Sequence, residues 1–294
     1  MSSAALIQGL VPTFRDLVAL TKPRVTALVL ATAAVGMAFA PGEMTLRRAT
    51  LMLLGTWLCV ASANALNCFI ERETDKRMAR TAARPLPSGR LDPQLARSFG
   101  LLLGVISLPV LALGTNMLTA ALGLTALVSY VAVYTPMKTH SPAALIVGAV
   151  PGALPPLMGY AAISGQIAPR GVLLFALLFL WQLPHVIGLA AFRRDEYVAA
   201  GIRVLPAVYG AEQTRGHAIV WCLVLVLTSL LPVPLGWAGP LYLGCAAALG
   251  GWFMSTALRR LRDGDLVTWG RRVFLVSLCY MPLLFTALLL DGRA

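Results

Sequence analysis

Residues 170–192 read RGVLLFALLFLWQLPHVIGLAAF, a run in which nearly every side chain is apolar. A helix needs about 20 such residues to cross a hydrocarbon core that is about 30 Å thick. A run of this length indicates a membrane span, because a buried helix of a soluble domain is usually shorter. We therefore predict a transmembrane helix over these residues.

Eight further segments share this length and character, and they lie at 17–40, 46–70, 96–114, 116–135, 143–163, 217–237, 240–258 and 273–290. All nine are predicted to be helices, because lipid offers no hydrogen-bond partner and a helix satisfies its own backbone groups. The connections between them are too short to hold a soluble domain. The sequence thus predicts an all-α polytopic membrane protein with nine transmembrane helices. Residues 1–294 form one intramembrane domain, and residues 1–15 form a short cytoplasmic segment.

The composition agrees with this interpretation. Of the 294 residues, 58% are hydrophobic and only 12% are charged, whereas soluble domains contain about 25% charged residues. This excludes a soluble enzyme and a disordered chain. The five cysteines show no paired spacing, so a disulfide scaffold or a cysteine metal cluster is not expected.

The net charge of +12 is unusual for so apolar a chain. With the N-terminus inside, the basic residues fall on the cytoplasmic side, apart from Arg47, Arg48, Arg170 and Arg293. The positive-inside rule then predicts a cytoplasmic N-terminus and, after nine spans, an external C-terminus. Topology therefore accounts for most of the charge without nucleic-acid binding. The first residues lack a secretory or transit pattern, so we expect a bacterial cytoplasmic (inner) membrane.

A polar stripe follows the second span, where Asn67, Glu71 and Asp75 are spaced four residues apart. On a helix this spacing places an amide and two carboxylates on one face. Such oxygen ligands suit Mg²⁺, which binds one or two carboxylates together with substrate phosphates. The alternative is an ordinary helix end that carries solvated charges.

An arginine-rich loop comes next, RTAARPLPSGR at 80–90. Arginine forks bind phosphate oxygens in pairs, so Arg80 and Arg84 beside the acidic stripe indicate a bound diphosphate. The positive-inside signal explains some of these arginines, but it does not explain the acids among them.

A second acidic and basic cluster follows the sixth span, at Arg193, Arg194, Asp195 and Glu196. Two such loops on one membrane face could clamp a metal-bound diphosphate from both sides. Lys138 is the only fixed charge in a third cytoplasmic loop, where it either marks the topology or binds the same anion.

Two features lie within the spans. His185 follows Pro184 inside the sixth span, and an ionisable residue at membrane depth is usually functional. It either contacts a ligand or bonds to a backbone carbonyl freed by the proline. The prolines at 151, 155 and 156 are expected to break or bend the fifth span and open a cavity, or to form a structural kink only.

The motifs together resemble the intramembrane UbiA-type prenyltransferases, and within them the protoheme IX farnesyltransferases (heme O synthases). The resemblance rests on the acidic stripe and on blocks in the family's order and spacing: LTKPRVT at 20–26, RTAARPL at 80–86, YTP at 134–136, GAVPGALPPLMG at 148–159, WQLPH at 181–185 and YVAAGIRVLP at 197–206. Two features depart from the wider pattern. Glu71 stands where aspartate is usual, and Asp195 and Glu196 are more closely spaced than the second motif. Which acids of the second loop bind metal therefore stays open.

The resemblance implies transfer of a farnesyl group from farnesyl diphosphate to the vinyl group of protoheme IX, with addition of water, to give heme O. It implies Mg²⁺ held by Asn67, Glu71 and Asp75, with Asp195 or Glu196 from the second loop. The residues expected to bind the diphosphate are Arg72, Lys76, Arg80, Arg84, Lys138 and Arg193. His185 is the candidate heme-side residue. The partners implied are the two substrates, the lipid bilayer, and a heme A synthase or a terminal oxidase assembly pathway, with no nucleic acid.

Two other functions stay open at this point. A prenyltransferase acting on an aromatic quinone precursor such as 4-hydroxybenzoate would use the same diphosphate site but would have no role for His185. A membrane transporter would need charges near the middle of the bilayer, whereas the acids here gather at one surface.

Overall fold

The computed structural model describes residues 13–260 and 265–292. Their helices are α1 (Thr13–Leu20), α2 (Pro23–Ala38), α3 (Leu46–Ile70), α4 (Arg72–Asp75), α5 (Ala79–Ala82), α6 (Pro93–Gly114), α7 (Met117–Val128), α8 (Thr135–Met137), α9 (Ala144–Ser164), α10 (Pro169–Phe192), α11 (Arg194–Ala199), α12 (Leu205–Val208), α13 (Gly210–Leu230), α14 (Pro240–Leu258) and α15 (Leu266–Asp291). A π-helical segment, Ser129–Tyr134, joins α7 to α8. The all-α prediction is confirmed. Of the predicted N-terminal segment 1–15, residues 1–12 lie outside the described residues and the last three belong to α1.

Eight helices in the described part of the chain are long and apolar enough to cross a membrane, and α7, the π-helical segment and α8 together count as one of them. The first predicted span, 17–40, is instead the pair α1 and α2, which meet at an angle of 42°. The count is nine if this bent pair is one span. The multi-span architecture is confirmed.

The bend between α1 and α2 has a local cause in the LTKPRVT block. Proline restricts the residue before it to conformations outside the right-handed helix, and Lys22 adopts a left-handed conformation with φ 48°. Asn64 on α3 donates a hydrogen bond of 3.2 Å to the carbonyl of Thr21. In a continuous helix this carbonyl would accept a bond from a backbone N–H, which the break removes. The block is thus a fixed helix break that projects Lys22 toward α3.

The proline-rich fifth span is not broken. Helix α9 runs without interruption from Ala144 to Ser164, with Pro151, Pro155 and Pro156 inside it. Helix α2 lies directly against it. A Cβ added at Gly36 would collide with the carbonyl of Pro156.

Two helices differ from the predicted boundaries near the C-terminus. The spans expected at 217–237 and 273–290 are α13, which begins at Gly210, and α15, which begins at Leu266. Both begin before their apolar stretches and carry arginines in their second turns, because a helix can continue into the polar membrane border. The carboxylate of Asp265 caps α15 by accepting a hydrogen bond of 2.8 Å from the backbone of Thr268.

Because α2 and α9 are in close contact, adding one methyl group between them should lower the free energy of unfolding. In Gly159→Ala, the new Cβ would collide with the carbonyl of Ala33, so the two helices must separate. We expect a cost of about 1–3 kcal/mol, typical of overpacking, and a lower melting temperature of the purified protein in detergent. The matched control is Gly244→Ala, where nothing lies within 4 Å of the added Cβ. Equal melting temperatures for the two variants would contradict this account of the packing.

Candidate functional site

A cavity of about 230 Å³ lies at one end of the helical bundle. The C-terminal ends of α3, α8 and α10 and the start of α9 surround it, and the short helices α4, α5, α11 and α12 cover it. Its polar lining includes Lys22, Asn67, Glu71, Thr74, Asp75, Arg80, Thr81, Arg84, Tyr130, Tyr134, Lys138, Ser141, Tyr197 and Arg203. Its apolar wall includes Leu145, Val186, Ile187 and Ala190. A polar cluster thus opens onto an apolar surface.

The predicted acidic stripe contributes three of these residues, Asn67, Glu71 and Asp75. Helix α3 ends at Ile70, but the backbone N–H of Glu71 still bonds to the carbonyl of Asn67 at 2.9 Å. The N–H of Asp75 likewise bonds to the carbonyl of Glu71 at 2.8 Å. The helical spacing therefore survives across the break, and the three side chains face one cavity.

Each of the three accepts a hydrogen bond from a cation on another segment. Lys22 Nζ lies 3.0 Å from the Oδ1 atom of Asn67, and Lys138 Nζ lies 2.8 Å from a carboxylate oxygen of Glu71. Arg84 donates to Asp75 at 2.9 Å, and the Asp75 side chain is 2% exposed. Buried carboxylates without such partners would be costly, so the cations and acids assemble as one unit.

Lys138 lies in an environment that favours its charged form. Burial alone would lower the pKa of its ammonium group, but Tyr134, Tyr130 and the carboxylate of Glu71 outweigh burial and raise the pKa above its ordinary value. The ammonium nitrogen lies 4.5 Å from the centroid of the Tyr134 ring, whose electron-rich face attracts a cation. Lys138 is therefore a fixed positive charge at the cavity wall.

The second loop turns Glu196, and not Asp195, toward the first cluster. One oxygen of Glu196 accepts a hydrogen bond of 2.7 Å from Arg193. Its Oε2 atom lies 3.9 Å from Arg80, and it is buried without a hydrogen-bond partner among the described residues. The side chain of Asp195 is 91% exposed, and among the described residues its ion-pair partner is Arg194, at 3.5 Å.

The sequence model of the UbiA prenyltransferase family matches residues 29–278 of this chain. The chain belongs to the UbiA prenyltransferase family. A protoheme IX farnesyltransferase of Myxococcus xanthus (strain DK1622) is 50% identical to it over 280 residues, which cover 94% of each protein. The resemblance drawn from the motifs is thereby confirmed across most of the chain.

Two solved structures share the fold of this UbiA prenyltransferase. A digeranylgeranylglyceryl phosphate synthase structure gives a TM-score of 0.81 at 18% identity and covers 95% of this chain and 98% of its own. A UbiA homolog from Archaeoglobus fulgidus bound to DMAPP and Mg²⁺ gives a TM-score of 0.63 at 16% identity. That match covers 92% of this chain and 99% of the other.

Three of the six predicted diphosphate-binding residues lie at the cavity of this UbiA prenyltransferase, and three do not. Arg80, Arg84 and Lys138 line the cavity, but Arg72, Lys76 and Arg193 are not part of its wall. Arg72 donates to the carbonyl of Phe69 at 2.8 Å, and Lys76 is bound to Glu73 on the surface. The hydrogen bond from Lys76 lowers the pKa of the Glu73 carboxyl group. The roles of Arg72, Lys76 and Arg193 in anion binding stay predictions.

Several lining residues had no role in the sequence analysis. Lys22 was counted as a topology signal and as part of the LTKPRVT block, but it was given no role at the site. Tyr130 and Tyr134 lie in the π-helical segment, which sets their ring centroids 5.3 Å apart beside the cavity. π-Helical turns often occur at functional sites, but the sequence carried no signal for this one.

His185 lies on α10 outside the cavity wall. Its Nδ1 atom is 2.7 Å from the hydroxyl oxygen of Ser277 on α15, and its ring lies against those of Trp181 and Phe274. The partner of the ring is thus a side chain, and not the backbone carbonyl that Pro184 frees. A contact with heme stays a prediction.

The oxygen atoms of the cavity wall include ligands of the kind that a metal ion binds. Within residues 13–260 and 265–292, no group of three or more histidine, cysteine, aspartate or glutamate side chains has the spacing of a complete metal site. Two carboxylates and one amide oxygen do converge on the cavity. Such a set fits Mg²⁺, which takes few protein ligands and completes its octahedron with water and substrate phosphates.

Proposed function

We propose that this UbiA prenyltransferase is a protoheme IX farnesyltransferase, which transfers the farnesyl group of farnesyl diphosphate to a vinyl group of protoheme IX and so makes heme O. The 50% identity to the Myxococcus enzyme of that name, over nearly the whole of both chains, carries the choice of substrates. The cavity supports the chemistry, since it joins an oxygen-rich, cation-rich end to an apolar wall. Prenyl diphosphates have the same two parts.

Asn67, Glu71 and Asp75 would hold Mg²⁺, with Glu196 as the favoured acid of the second loop. The exposure of Asp195 and the unpartnered buried oxygen of Glu196 support this choice. When bound, Mg²⁺ would neutralise part of the charge of the diphosphate. The UbiA homolog from Archaeoglobus fulgidus that was solved with DMAPP and Mg²⁺ supports this cofactor for the shared fold.

The cations of the cavity would stabilise the leaving group. Lys22, Arg84 and Lys138 already face the acidic stripe, and Arg80 lines the same cavity and lies 3.9 Å from Glu196 of the second loop. As the allylic C–O bond breaks, its electron pair leaves with the diphosphate, so negative charge grows where these side chains point. Preorganised donors at such a position usually supply the largest part of catalysis.

The apolar wall would protect the allylic cation. Val186, Ile187 and Ala190 on α10 face the cavity, and their apolar side chains would shield the cation from water. The π-electrons of the vinyl group form the new C–C bond, so no side chain needs to deprotonate a nucleophile. Water then adds to the resulting cation and loses a proton, which leaves the hydroxyl group of the product.

One assay tests the proposal. Membranes that contain the protein are given farnesyl diphosphate, Mg²⁺, protoheme and 4-hydroxybenzoate, and the products are separated by chromatography. We expect heme O, its loss on addition of EDTA, and its return with excess Mg²⁺. Prenylated 4-hydroxybenzoate without heme O would overturn the choice of acceptor and favour the quinone-precursor enzyme.

The arrangement in the membrane is part of the proposal. We take α1 and α2 as one bent span, which makes nine spans with a cytoplasmic N-terminus, an external C-terminus and a bacterial inner membrane as the location. A C-terminal alkaline phosphatase fusion in bacteria should then be active, and an active C-terminal fluorescent protein with inactive phosphatase would contradict the orientation. Association with a heme A synthase or a terminal oxidase assembly pathway stays a prediction, which co-purification from native membranes would test.

A further inference from the structure

The side chain of His185 is held in one orientation between two helices. Its ring stacks on Trp181, with centroids 4.6 Å apart, and tilts against Phe274 at 4.9 Å. Its Nδ1 atom lies 2.7 Å from the Oγ atom of Ser277. The ring is half-buried, and Nε2 has no hydrogen-bond partner among the residues that the structure describes.

Ser277 has two polar neighbours, the Nδ1 atom of His185 at 2.7 Å and the carbonyl of Phe274 at 2.6 Å. A carbonyl oxygen can only accept, so when the Ser277 hydroxyl donates to Phe274 its oxygen is left to accept from Nδ1–H of His185. In that tautomer the neutral ring presents the lone pair of Nε2.

The helices that carry this pair are closely packed. Gly188 and Gly270 allow α10 and α15 to touch, since a Cβ on Gly188 would lie 2.9 Å from the backbone nitrogen of Phe274. The indole of Trp181 donates to the carbonyl of Ser277 at 2.7 Å. Contacts on both sides of Ser277 thus place its hydroxyl group beside Nδ1 of His185.

We propose that His185 binds the iron of protoheme through Nε2 and that Ser277 is a positioning residue that sets its tautomer. The inference rests on the proposed function, since protoheme is the substrate that brings iron to this depth. Histidine that ligates a metal commonly donates its other ring N–H to a neighbouring oxygen, which fixes the ring and strengthens the ligand. The iron is a better partner for Nε2 of His185 than a heme propionate is, because an unprotonated nitrogen cannot donate a hydrogen bond to a carboxylate.

The position on α10 agrees with this role. His185 precedes the cavity-wall residues Val186 and Ile187, and it lies eight residues before Arg193, which is about 12 Å along a helix that rises 1.5 Å per residue. A heme held there lies deeper in the membrane than the cluster of cations. The farnesyl chain would extend inward from that cluster toward the heme.

The test is a titration of the purified, detergent-solubilised full chain with ferric protoheme, without farnesyl diphosphate. The Soret band and the electron paramagnetic resonance spectrum report the ligand of the iron. We expect a histidine-bound spectrum for the unaltered protein and, for His185→Ala, loss of that spectrum and at least a tenfold weaker affinity. Ser277→Ala should weaken binding about 10-fold, the lower end of the range for lost outer-shell partners. His140→Ala and His217→Ala, at the ends of spans, should bind heme with unchanged spectra.

Two further measurements distinguish the loss of the iron ligand from unfolding of the variant. Melting temperatures report whether each variant is folded, and added imidazole should restore the ligated spectrum in His185→Gly if the pocket is intact. A His185→Ala protein with an unchanged spectrum and affinity overturns the iron assignment even if the unaltered protein makes heme O. Absence of heme O from the unaltered protein would instead overturn the proposed function.

Discussion

Asp75→Asn is expected to lower the rate of heme O formation by about 10³, the upper end of the cost of removing one preorganised charge-stabilising group. The substitution keeps the shape of the side chain but removes its charge, which would bind Mg²⁺ and which Arg84 now faces at 2.9 Å. The assay is turnover of farnesyl diphosphate and protoheme in membranes that contain equal amounts of protein.

The control for this variant is Asp195→Asn. Sequence reasoning placed both aspartates at the metal, but the side chain of Asp75 is 2% exposed and that of Asp195 is 91% exposed. We expect the Asp195 variant to keep most of its activity. Full activity in Asp75→Asn would mean that the acidic stripe is only a helix end. Because breaking a buried ion pair can destabilise a protein, the melting temperature of each variant is measured in parallel.

Lys138→Met is expected to lower the maximal rate by about 10²–10³, the usual cost of removing one such donor. Methionine keeps the length of the apolar stem, but it cannot neutralise a diphosphate or bond to Glu71. The loss should appear mainly in kcat, since the charge on the leaving group grows in the transition state. Steady-state kinetics with farnesyl diphosphate as the varied substrate measures it.

Lys76→Met provides the matched comparison. Lys76 carries the same charge on a neighbouring segment, but its side chain is half-exposed and is bound to Glu73 at 2.8 Å. Exposed pairs of this kind contribute little, about 0–1 kcal/mol, so we expect a change in kcat of less than about fivefold. Equal losses in both lysine variants would show that the cavity does not define the anion site.

Much of the architecture could be read from local patterns. Apolar runs such as 170–192 identified the helices, because length and hydropathy are properties of one segment. The four-residue spacing of Asn67, Glu71 and Asp75 predicted a shared face, and the structure keeps that spacing even though α3 ends between them. The first residues of α13 and α15 were not predicted, because both helices begin in charged segments that precede their apolar stretches.

Long-range contacts were beyond such patterns. Lys22 reaches Asn67 across 45 positions, and Lys138 reaches Glu71 across 67. No period in the sequence relates residues so far apart, so a basic residue such as Lys76 looked the same as Lys138. Only the packing of the helices decides which cation is brought to the acids.

The sequence by itself determined the class of the protein, its multi-span helical architecture and the shared face of Asn67, Glu71 and Asp75, because each of these depends on composition and on spacing within one segment. The tertiary structure alone decided that Glu196 and not Asp195 turns inward, that Lys22 joins the cavity, and that Ser277 holds the ring of His185. These contacts depend on where the helices cross and on how the loops pack over them. They arise between segments that are distant in the sequence, and therefore no local pattern predicts them.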